Sequence, residues 1–555
     1  MGRVTGTFLA MRNLSTKAGR TSSTRRGSVK VEIAKQDTNL LTIKAVYNIL
    51  NLISAYETIK SRKGNMTPGV DETTLDGIDL KYLKNIQKLI SAGKFEFSPA
   101  RRILIPKPGT DKQRPLAIAS PREKIVQQAI ANVLTPTYEP IFLDSSHGFR
   151  PGRSTHTAIS AVEAKFNSVK YIIEADFSKA FDSIQHKKLM EILKRRIKDE
   201  KLLKLIGSSL KAGYIDELGK LHSNMLEGTP QGSVLSPILC NIFLHELDTF
   251  MEGLKEKYNK GTIRPKNKLH MSLTNKIRHM RRRNQNVTQR AEFLKKLKGL
   301  LQTPSRDHDD RYIRIHYIRY ADDFIVGVEG NRALAVTILN EMAKFVESLG
   351  LKFNPEKTNI INFNEEPCHF LGYSLIGPYK KGSCRGKETY KEPNSQRLAL
   401  RRKKERTSVF MNTERVLNKL ENNGFIRKRV KPGTSNELIF RGRYVGSLIN
   451  LEHADILRRY NAVIRGIYNY YEFCNNTAAI GRIVWLLKES CGLTLARKFK
   501  LRTLRAVFSR FGENFTAKVY DNEGKEHTIG LWAPKDYKRK HITRTKVTLP
   551  LHLRN

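Results

Sequence analysis

Two adjacent aspartates near the middle of the sequence have surroundings that suit phosphoryl-transfer chemistry. Asp322 and Asp323 end the string YADD at residues 320–323, between two runs rich in β-branched and aromatic residues, 312–319 and 324–328. This pattern predicts a strand, a tight turn and a second strand, with both carboxylates at the turn. Two carboxylates beside apolar strands are costly unless a cation neutralises them, and their hard oxygens suit Mg²⁺.

A third carboxylate is expected close to the same turn. The apolar run 171–175 leads into Asp176, and a helical pattern follows from Phe181 to Ile197. With Asp176 at the end of a strand beside the hairpin, three carboxylates from two segments can hold two metal ions about 3.5–4 Å apart, the geometry of in-line phosphoryl transfer. A lone Asp-Asp pair is usually a simple turn, but the flanking strands and Asp176 argue against that interpretation here.

The composition indicates a nucleic-acid partner. The chain has 555 residues, a net charge of +47 and a pI of about 10.1, and its length predicts about three or four domains. Such a charge repels itself unless a polyanion neutralises it, and nucleic acid is the polyanion expected more often than a membrane. The five cysteines contain no Cys-x-x-Cys pair, which favours a reducing compartment and no zinc site. No apolar run is long enough to predict a membrane span.

Further motifs surround the aspartates in a fixed order. They are a Gly/Pro loop, a basic hairpin pattern, a Gly/Pro turn with arginines, a Gly-rich loop and two later strings, at residues 63–71, 101–118, 147–156, 228–237, 354–358 and 370–373. YADD is similar to the signature of reverse transcriptases. The ordered set resembles the group II intron-encoded reverse transcriptase/maturase family, of the organellar type, over roughly residues 41–515.

The resemblance implies an α+β fold of the right-hand polymerase type. It consists of fingers, a palm with an antiparallel sheet and an α-helical thumb/maturase domain. The implied activity is RNA-directed DNA polymerisation, in which a primer 3′-hydroxyl attacks the α-phosphate of a dNTP. Asp176 and Asp322 are then expected to hold two Mg²⁺ ions with help from the Phe177 carbonyl, while Asp323 supports the second ion.

The resemblance also implies a nucleotide pocket. Lys107 and Arg114 match the positions that clamp the incoming triphosphate, and Gln231 matches a glutamine of the pocket. Phe181 matches the aromatic that crowds a ribose 2′-hydroxyl and so favours dNTPs, although its spacing alone predicts a helix core residue. Arg150 is expected to position either the nucleotide or the junction of fingers and palm.

Basic segments predict contacts with RNA. The insertion at 255–311 either contacts intron RNA or is a solvated loop, and it includes Arg281, Arg282 and Arg283. The C-terminal region resembles the maturase domain that binds the parent intron, with candidate contacts at Arg401, Arg402, Arg458, Arg459, Arg497 and Lys498. Tyr470 and Tyr471 suit either the core or stacking on bases, and the core is the favoured interpretation.

The predicted domains follow from these assignments. They are a basic leader or disordered arm (1–40), fingers (41–160), palm (161–375), linker (376–395), thumb/maturase (396–511) and a basic tail (512–555), which resembles a remnant DNA-binding segment. Residues 1–31 lack Asp and Glu, which suits a transit peptide, a disordered arm or translated upstream exon equally. We expect a mitochondrial protein, with the chloroplast as the alternative. The sequence lacks the paired cysteines of an HNH endonuclease, so DNA cleavage is not expected.

The function predicted is reverse transcription combined with assistance to splicing. The expected partners are group II intron RNA, an RNA template with a DNA primer, and dNTPs, with no membrane. One alternative is an RNA-folding cofactor for splicing whose polymerase activity is secondary or lost. Another is a reverse transcriptase of a different retroelement, which would not explain residues 440–510.

Overall fold

The computed structural model describes residues 41–540. Undescribed within this range are 63, 107–112, 179, 224, 282–286, 304–310, 379–386, 392–397, 403–405, 432, 434–436 and 522. Several predicted features therefore lie outside the described residues: the leader, Lys107, Arg282, Arg283 and the side chains of Arg281, Arg401 and Arg402.

The chain begins with helices that pack around a small sheet. Helices α1–α4 span Ile43–Tyr47, Ile49–Lys60, Leu80–Ser91 and Pro121–Tyr138, and strands β1 and β2 span Ala100–Pro106 and Gln113–Ile118. β1 and β2 form the antiparallel fingers hairpin that the sequence predicts. Apolar residues at helical spacing run through 41–60, but this segment forms two helices divided at Asn48. The Asn48 side chain accepts a hydrogen bond from the Leu50 N–H and starts the second helix.

The next segment leads into the palm. Its elements are α5 (Thr155–Lys165), β3 (Tyr171–Ala175), α6 (His186–Lys194), α7 (Glu200–Lys211), β4 (Tyr214–Ile215), β5 (Leu221–His222) and α8 (Ser236–Tyr258). The helix expected from Phe181 onward begins at His186 instead. Residues 180–182 form a 3-10 turn, and the Phe181 carbonyl accepts a 2.6 Å hydrogen bond from Thr229, outside any helix.

The basic insertion is helical where it is described. Helices α9 (Lys268–Arg281) and α10 (Val287–Gln302) contact each other as a hairpin. Arg264 lies between α8 and α9 and donates to the Glu329 carboxylate of the palm. The insertion is therefore anchored to the palm and is not a featureless loop over these residues.

The palm sheet places the three aspartates at one end of neighbouring strands. It contains β6 (Arg314–Tyr320), β7 (Asp323–Glu329), β3 and β8 (Asn359–Asn362) in the order β6-β7-β3-β8, with α11 (Arg332–Ser348) following β7. All its pairings are antiparallel. Ala175 at the end of β3 pairs with Phe324, so Asp176 leaves the sheet beside the YADD turn.

The C-terminal part combines helices with small sheets. Its strands are β9 (Cys368–Phe370), β10 (Tyr373–Ile376), β11 (Lys387–Lys391), β12 (Leu398–Arg402), β13 (Ser408–Met411), β14 (Ile426–Val430), β15 (Leu438–Gly442), β16 (Ala517–Tyr520) and β17 (Glu526–Ile529). Its helices are α12 (Thr413–Asn422), α13 (His453–Tyr471), α14 (Thr477–Lys498) and α15 (Leu504–Phe511).

The structure refines the sequence predictions for this part. The thumb/maturase region contains an antiparallel ribbon beside its helices, since β14 pairs with β15, and a second ribbon, β16 with β17, lies in the predicted tail. The predicted linker at 376–395 contains β11, which pairs with β12. The start of the predicted tail is also folded: Phe515 and Leu531 are buried in the same core as α13 and α14.

The palm sheet separates two hydrophobic cores. Alternate residues of a strand face opposite sides of a sheet, so Ile173 joins the core shared with the fingers and Ile172 joins the core shared with the C-terminal helices. Burying each such side chain contributes roughly 1.5–3 kcal/mol. Among the helices of the described residues, none combines the length and the apolar character needed to cross a membrane.

Candidate active site

The YADD turn adopts a conformation that needs outside support. β6 and β7 pair up to Tyr320 and Asp323, so Ala321 and Asp322 alone form the turn. Ala321 has φ of +57°, a left-handed conformation that costs a non-glycine residue roughly 1 kcal/mol. Gly148 packs so closely on the turn that a Cβ there would collide with the Ala321 nitrogen. This close approach explains the glycine of the Gly/Pro turn at 147–156.

A buried arginine supports the turn from below. The Arg319 side chain is fully buried and forms a two-point salt bridge with Asp248 of α8, with hydrogen bonds of 2.7 and 2.6 Å. Its remaining N–H groups donate to the Ala321 carbonyl at 2.9 Å, to Asn241 at 3.1 Å and to the Ser146 hydroxyl at 2.9 Å. Burial alone would lower the pKa of Arg319, but the Asp248 carboxylate raises it above its ordinary value, so the guanidinium stays charged.

The three predicted aspartates influence one another. Burial, and then the charge of Asp176, raise the pKa of Asp322. Desolvation of the carboxyl, followed by the charges of Asp322 and Asp176, raises the pKa of Asp323 to about 6, although part of Asp323 remains exposed. Like charges shift each other's pKa in this way only when they are close. The fold therefore brings the sequence-predicted set together.

The carboxylates fit a divalent cation in kind but not yet in arrangement. Asp176 is paired with the ammonium group of Lys357, and its carbonyl accepts a 2.8 Å hydrogen bond from the Asn354 N–H. Within the described part of the chain, no three His, Cys, Asp or Glu side chains are grouped to hold a metal. Carboxylate oxygens are the hard donors that Mg²⁺ prefers, and Lys357 provides the positive charge that balances Asp176 here.

The candidate nucleotide residues lie around this centre. The positive charge of Arg114, which is exposed on β2, partly counteracts the rise in the pKa of Asp322. Gln231 lines a cavity of about 180 Å³ together with Asp182 and Tyr214, and its carbonyl accepts a 2.7 Å hydrogen bond from Ala117 of β2. The Gly-rich loop thereby connects the fingers hairpin to the palm.

Phe181 is half-buried on the 3-10 turn that follows β3. Its ring meets the exposed ring of Phe149 edge-on, with 6.5 Å between the centroids. A half-buried ring at this place is consistent with the predicted contact to a sugar, which a helix core residue could not make.

The contacts of Arg150 favour the second of its two predicted roles. Its side chain is buried and binds both carboxylate oxygens of Glu139 at 2.8–3.1 Å. It also donates to the carbonyls of Leu143 at 2.6 Å and Ser146 at 2.8 Å. Because these contacts occupy the guanidinium, Arg150 is suited to organising the junction of fingers and palm and not to binding nucleotide.

The candidate RNA contacts differ in availability. Arg459 and Arg497 are exposed on α13 and α14, and Arg497 lies over the exposed ring of Tyr444 at 5.7 Å. Arg458 is paired with Asp455 at 2.7 Å, and Lys498 donates to the Ile449 carbonyl at 3.3 Å. The first two are therefore the stronger candidates for phosphate contacts.

Sequence reasoning gave no role to Arg319, Asp248 or Lys357. A signal for the first two exists in the sequence, because each charged residue shares a face with apolar residues. Arg319 follows Ile315 and Tyr317 at alternate positions of β6, and Asp248 stands four residues after Leu244 and three before Met251 in α8. Charges in such positions are rarely buried unless they are paired. Only the fold shows that they pair with each other, 71 positions apart.

Two family models match the chain. The model described as "Reverse transcriptase (RNA-dependent DNA polymerase)" matches residues 105–264 and 291–375, and "Type II intron maturase" matches 404–553. The interruption at 265–290 falls within the predicted basic insertion. The maturase match spans both the predicted thumb/maturase region and the predicted tail.

Named relatives cover most of the chain. "Putative COX1/OXI3 intron 2 protein" of Saccharomyces cerevisiae is 38% identical over 86% of this chain and 54% of its own length. "Uncharacterized 91 kDa protein in cob intron" of Schizosaccharomyces pombe is 34% identical over 94% and 62%. "Group II intron-encoded protein LtrA" of Lactococcus lactis is 32% identical over 82% and 74%. The chain thus spans 54% of the length of the Saccharomyces cerevisiae relative and 62% of the length of the Schizosaccharomyces pombe relative.

The fold and the site together define a class of protein. An antiparallel palm sheet with aspartates at one end, fingers before it and a C-terminal helical region after it is the architecture of a right-hand polymerase. The chain belongs to the family of group II intron-encoded proteins, with a reverse transcriptase domain followed by a maturase domain.

Proposed function

We propose that the protein is an RNA-directed DNA polymerase that also binds its group II intron RNA and promotes its splicing. The observation that carries the polymerase part is the approach of Asp176, Asp322 and Asp323 at one end of the palm sheet. After burial, the charge of Asp176 raises the pKa of Asp322, and the charges of Asp322 and Asp176 raise the pKa of Asp323. A site that concentrates negative charge in this way is built to receive cations and the phosphates bound to them.

The residues divide the work of nucleotide addition. Asp176 and Asp322, with the Phe177 carbonyl, would hold two Mg²⁺ ions, and Asp323 would support the second. When bound, such ions favour ionisation of the primer 3′-hydroxyl and stabilise charge on the leaving pyrophosphate. Arg114 balances negative charge from the fingers side, and Lys107 is proposed to act with it on the triphosphate.

Phe181, which follows β3 of the palm, and the Gly-rich loop would select the substrate. The half-buried ring of Phe181 would exclude a ribose 2′-hydroxyl and so favour dNTPs. Gln231 would contact the nucleotide from the Gly-rich loop, next to the fingers hairpin. An RNA template paired with a DNA primer would lie across the palm, guided by the strongly basic surface.

The splicing role is supported by the C-terminal region. A net charge of +47 predicts binding to RNA that is strong and salt-dependent. The exposed Arg459 and Arg497, together with the basic insertion, would contact the parent intron. The relatives named for COX1 and cob introns support the proposal that the protein acts in the mitochondrion.

Primer extension tests the proposal directly. Purified protein is given an RNA template with a DNA primer, dNTPs and Mg²⁺, next to Asp322→Ala and the control Asp144→Asn, whose carboxylate is exposed and paired with Arg153. The proposal predicts extension by the wild type and the control and none by Asp322→Ala. Extension by Asp322→Ala at the wild-type rate would show that the metal assignment is wrong.

A further inference from the structure

The turn between β9 and β10 is strained and is supported by another domain. Phe370 pairs with Tyr373, so Leu371 and Gly372 alone form the turn, with φ values of +51° and +77°. Two consecutive left-handed residues are the conformation that Asn-Gly adopts easily, and leucine in the first position costs roughly 1–2 kcal/mol. We call residues 370–373 the grip turn, because this last string of the ordered set, FLGY, resembles the family's primer-grip region.

Two tyrosines of the C-terminal helix α13 bind this turn. The Tyr470 hydroxyl donates a 2.7 Å hydrogen bond to the Leu371 carbonyl. The Tyr471 hydroxyl donates to the Gly372 carbonyl at 3.3 Å. In return, the hydroxyl of Tyr373 on β10 donates to the carbonyl of Tyr470. Both turn carbonyls are thus satisfied by the C-terminal domain.

The rings make this contact rigid. Tyr373 stacks on Tyr470 with 5.3 Å between centroids and an interplanar angle of 18°. Tyr471 meets Tyr373 edge-on at 5.3 Å and Tyr470 edge-on at 4.9 Å. Aromatic pairs of this kind contribute about 0.5–1.5 kcal/mol beyond the area they bury. The stacked rings and occupied hydroxyls exclude these tyrosines from stacking on bases.

The same contact is linked to the strand that carries the catalytic turn. β9, which leads into the grip turn, contacts β7, which begins at Asp323, and both Tyr320 and Leu371 pack against the core that contains α13. His156 at the start of α5 reaches the Tyr470 carbonyl at 2.9 Å from the palm side. The end of α13 is therefore bound to the palm from two directions.

We propose that Tyr470 and Tyr471 are positioning residues of the polymerase, which set the shape of the grip turn and thereby align the primer 3′ end with Asp322. The inference rests on the proposed polymerase function and goes beyond it. It makes the end of the helix α13 that carries candidate RNA contacts a component of the polymerase site. The side chains act through the Leu371 and Gly372 carbonyls and do not touch the reacting atoms.

The variant Tyr470→Phe/Tyr471→Phe tests this role, since it removes only two hydroxyl groups and keeps the rings. Tyr520→Phe is the matched control, because Tyr520 is 63% exposed on β16 and its hydroxyl contacts Glu526. Single-turnover extension of a DNA primer on an RNA template measures the rate of addition and the fraction of active enzyme separately. Thermal unfolding and the Kd for primer–template are measured alongside.

A positioning role predicts that the double variant adds the first nucleotide about tenfold more slowly, which is 1.4 kcal/mol in the barrier. The active fraction and the Kd stay within the range of the control, and the unfolding midpoint falls only by the amount that two lost hydrogen bonds explain. A merely structural role would instead lower the active fraction or the unfolding midpoint and leave the rate of the active molecules unchanged, which would overturn the inference. An unchanged rate with wild-type stability would overturn it as well.

Failure of the underlying function is distinguishable from failure of this inference. If the wild type and Tyr520→Phe both extend primers while the double variant is equally fast, only the positioning role is wrong. If the wild type adds no nucleotide, the polymerase function is wrong and the positioning role falls with it. The two single variants show how much each hydroxyl contributes to the rate of nucleotide addition. Tyr470→Phe is expected to slow addition more than Tyr471→Phe, because the Tyr470 hydrogen bond is the shorter.

Discussion

Arg319 and Asp248 form a salt bridge in which both side chains are fully buried. It lies directly under the YADD turn, because Arg319 also donates to the Ala321 carbonyl. Tyr317 adds a 2.9 Å hydrogen bond to the same Asp248 carboxylate. A buried ion pair is by itself weak evidence for stability, but the further hydrogen bonds of Arg319 to Ala321, Asn241 and Ser146 connect this one to the turn. Here the geometry that it supports is that of the aspartates.

This relationship predicts separate effects on stability and activity. Arg319→Met leaves Asp248 buried and unpaired, so the free energy of unfolding should fall by about 3–5 kcal/mol. Adding Asp248→Leu removes the orphaned charge and should restore much of that loss. The double variant should nevertheless extend primers poorly, because the Ala321 carbonyl still lacks its donor. Urea unfolding and primer extension measure the two effects.

The contrary outcome is specific. If Arg319→Met/Asp248→Leu recovers both stability and normal extension, the ion pair is only a packing element of the palm. The turn would then hold its shape without the bond to Ala321.

The raised pKa of Asp323 predicts a cation-dependent stability. Its folded pKa of about 6 lies above the ordinary aspartate value, so ionisation of this group costs stability as the pH rises from about 4 through 6. At pH 8 without metal, Asp323→Asn should therefore raise the unfolding midpoint slightly, since solvent screens part of the repulsion at this exposed residue. Adding Mg²⁺ should raise the midpoint of the wild type and raise that of the variant less.

Differential scanning fluorimetry with and without Mg²⁺ measures both effects, with Asp144→Asn as the control carboxylate. An equal rise with Mg²⁺ in wild type and Asp323→Asn would remove Asp323 from the metal site.

The lowered pKa of His147 predicts that the folded protein loses stability in mild acid. Burial, followed by the charges of Arg153 and Arg150, lowers the pKa of His147 to about 3. A lowered folded pKa means that the neutral form is favoured in the fold, so stability is complete above the unfolded pKa near 6.5 and is lost below it. Between pH 7 and pH 5 this group should cost about 2 kcal/mol. The backbone N–H of His147 donates a 2.8 Å hydrogen bond to the Arg319 carbonyl, so the loss of stability arises beside the catalytic turn.

Urea unfolding at both pH values measures this contribution against His147→Gln, which cannot gain the proton. The wild type should lose about 2 kcal/mol more than the variant on acidification. Equal losses in the two proteins would show that His147 does not set the pH dependence.

The arginine side chains of α13 and α14 that are exposed and unpaired with a carboxylate in the described residues are predicted to bind RNA. Arg459→Ala and Arg497→Ala should each weaken intron RNA binding and lower the slope of log K against log salt by about one. Arg458→Ala should have a smaller effect, because Asp455 already neutralises Arg458. Filter binding over a salt series gives the slopes, and equal slopes for all three variants would contradict the assignment.

The palm could be predicted from the sequence because its signals are local. Alternation of apolar residues indicates β6 and β7, the apolar run 171–175 indicates β3, and the carboxylates fall where these strands end. The helix over 181–197 was misplaced because contacts distant in sequence decide its start: His186 binds the Gly228 carbonyl at 2.7 Å and Phe181 binds Thr229. Local periodicity contains no information about such contacts.

The ribbon of β14 and β15 was missed for a different reason. β14 has the pattern IRKRV, in which the residues after Ile426 are exposed, so no burial period is visible in the sequence. The support of the grip turn was missed because it depends on Tyr470 and Leu371, 99 positions apart. Tyrosines in a half-apolar helix predict a core position equally well, and only the fold shows where their hydroxyls point.

The central claim is that one chain combines a polymerase with a separable splicing role, and a paired assay of Asp322→Ala/Asp323→Ala tests it most directly. Primer extension on an RNA template and splicing of the parent intron at moderate salt are measured on the same preparations. The account predicts that the wild type does both, whereas the double variant loses extension and still promotes splicing. Primer extension by the double variant, or a wild type that extends primers and never promotes splicing, would contradict it.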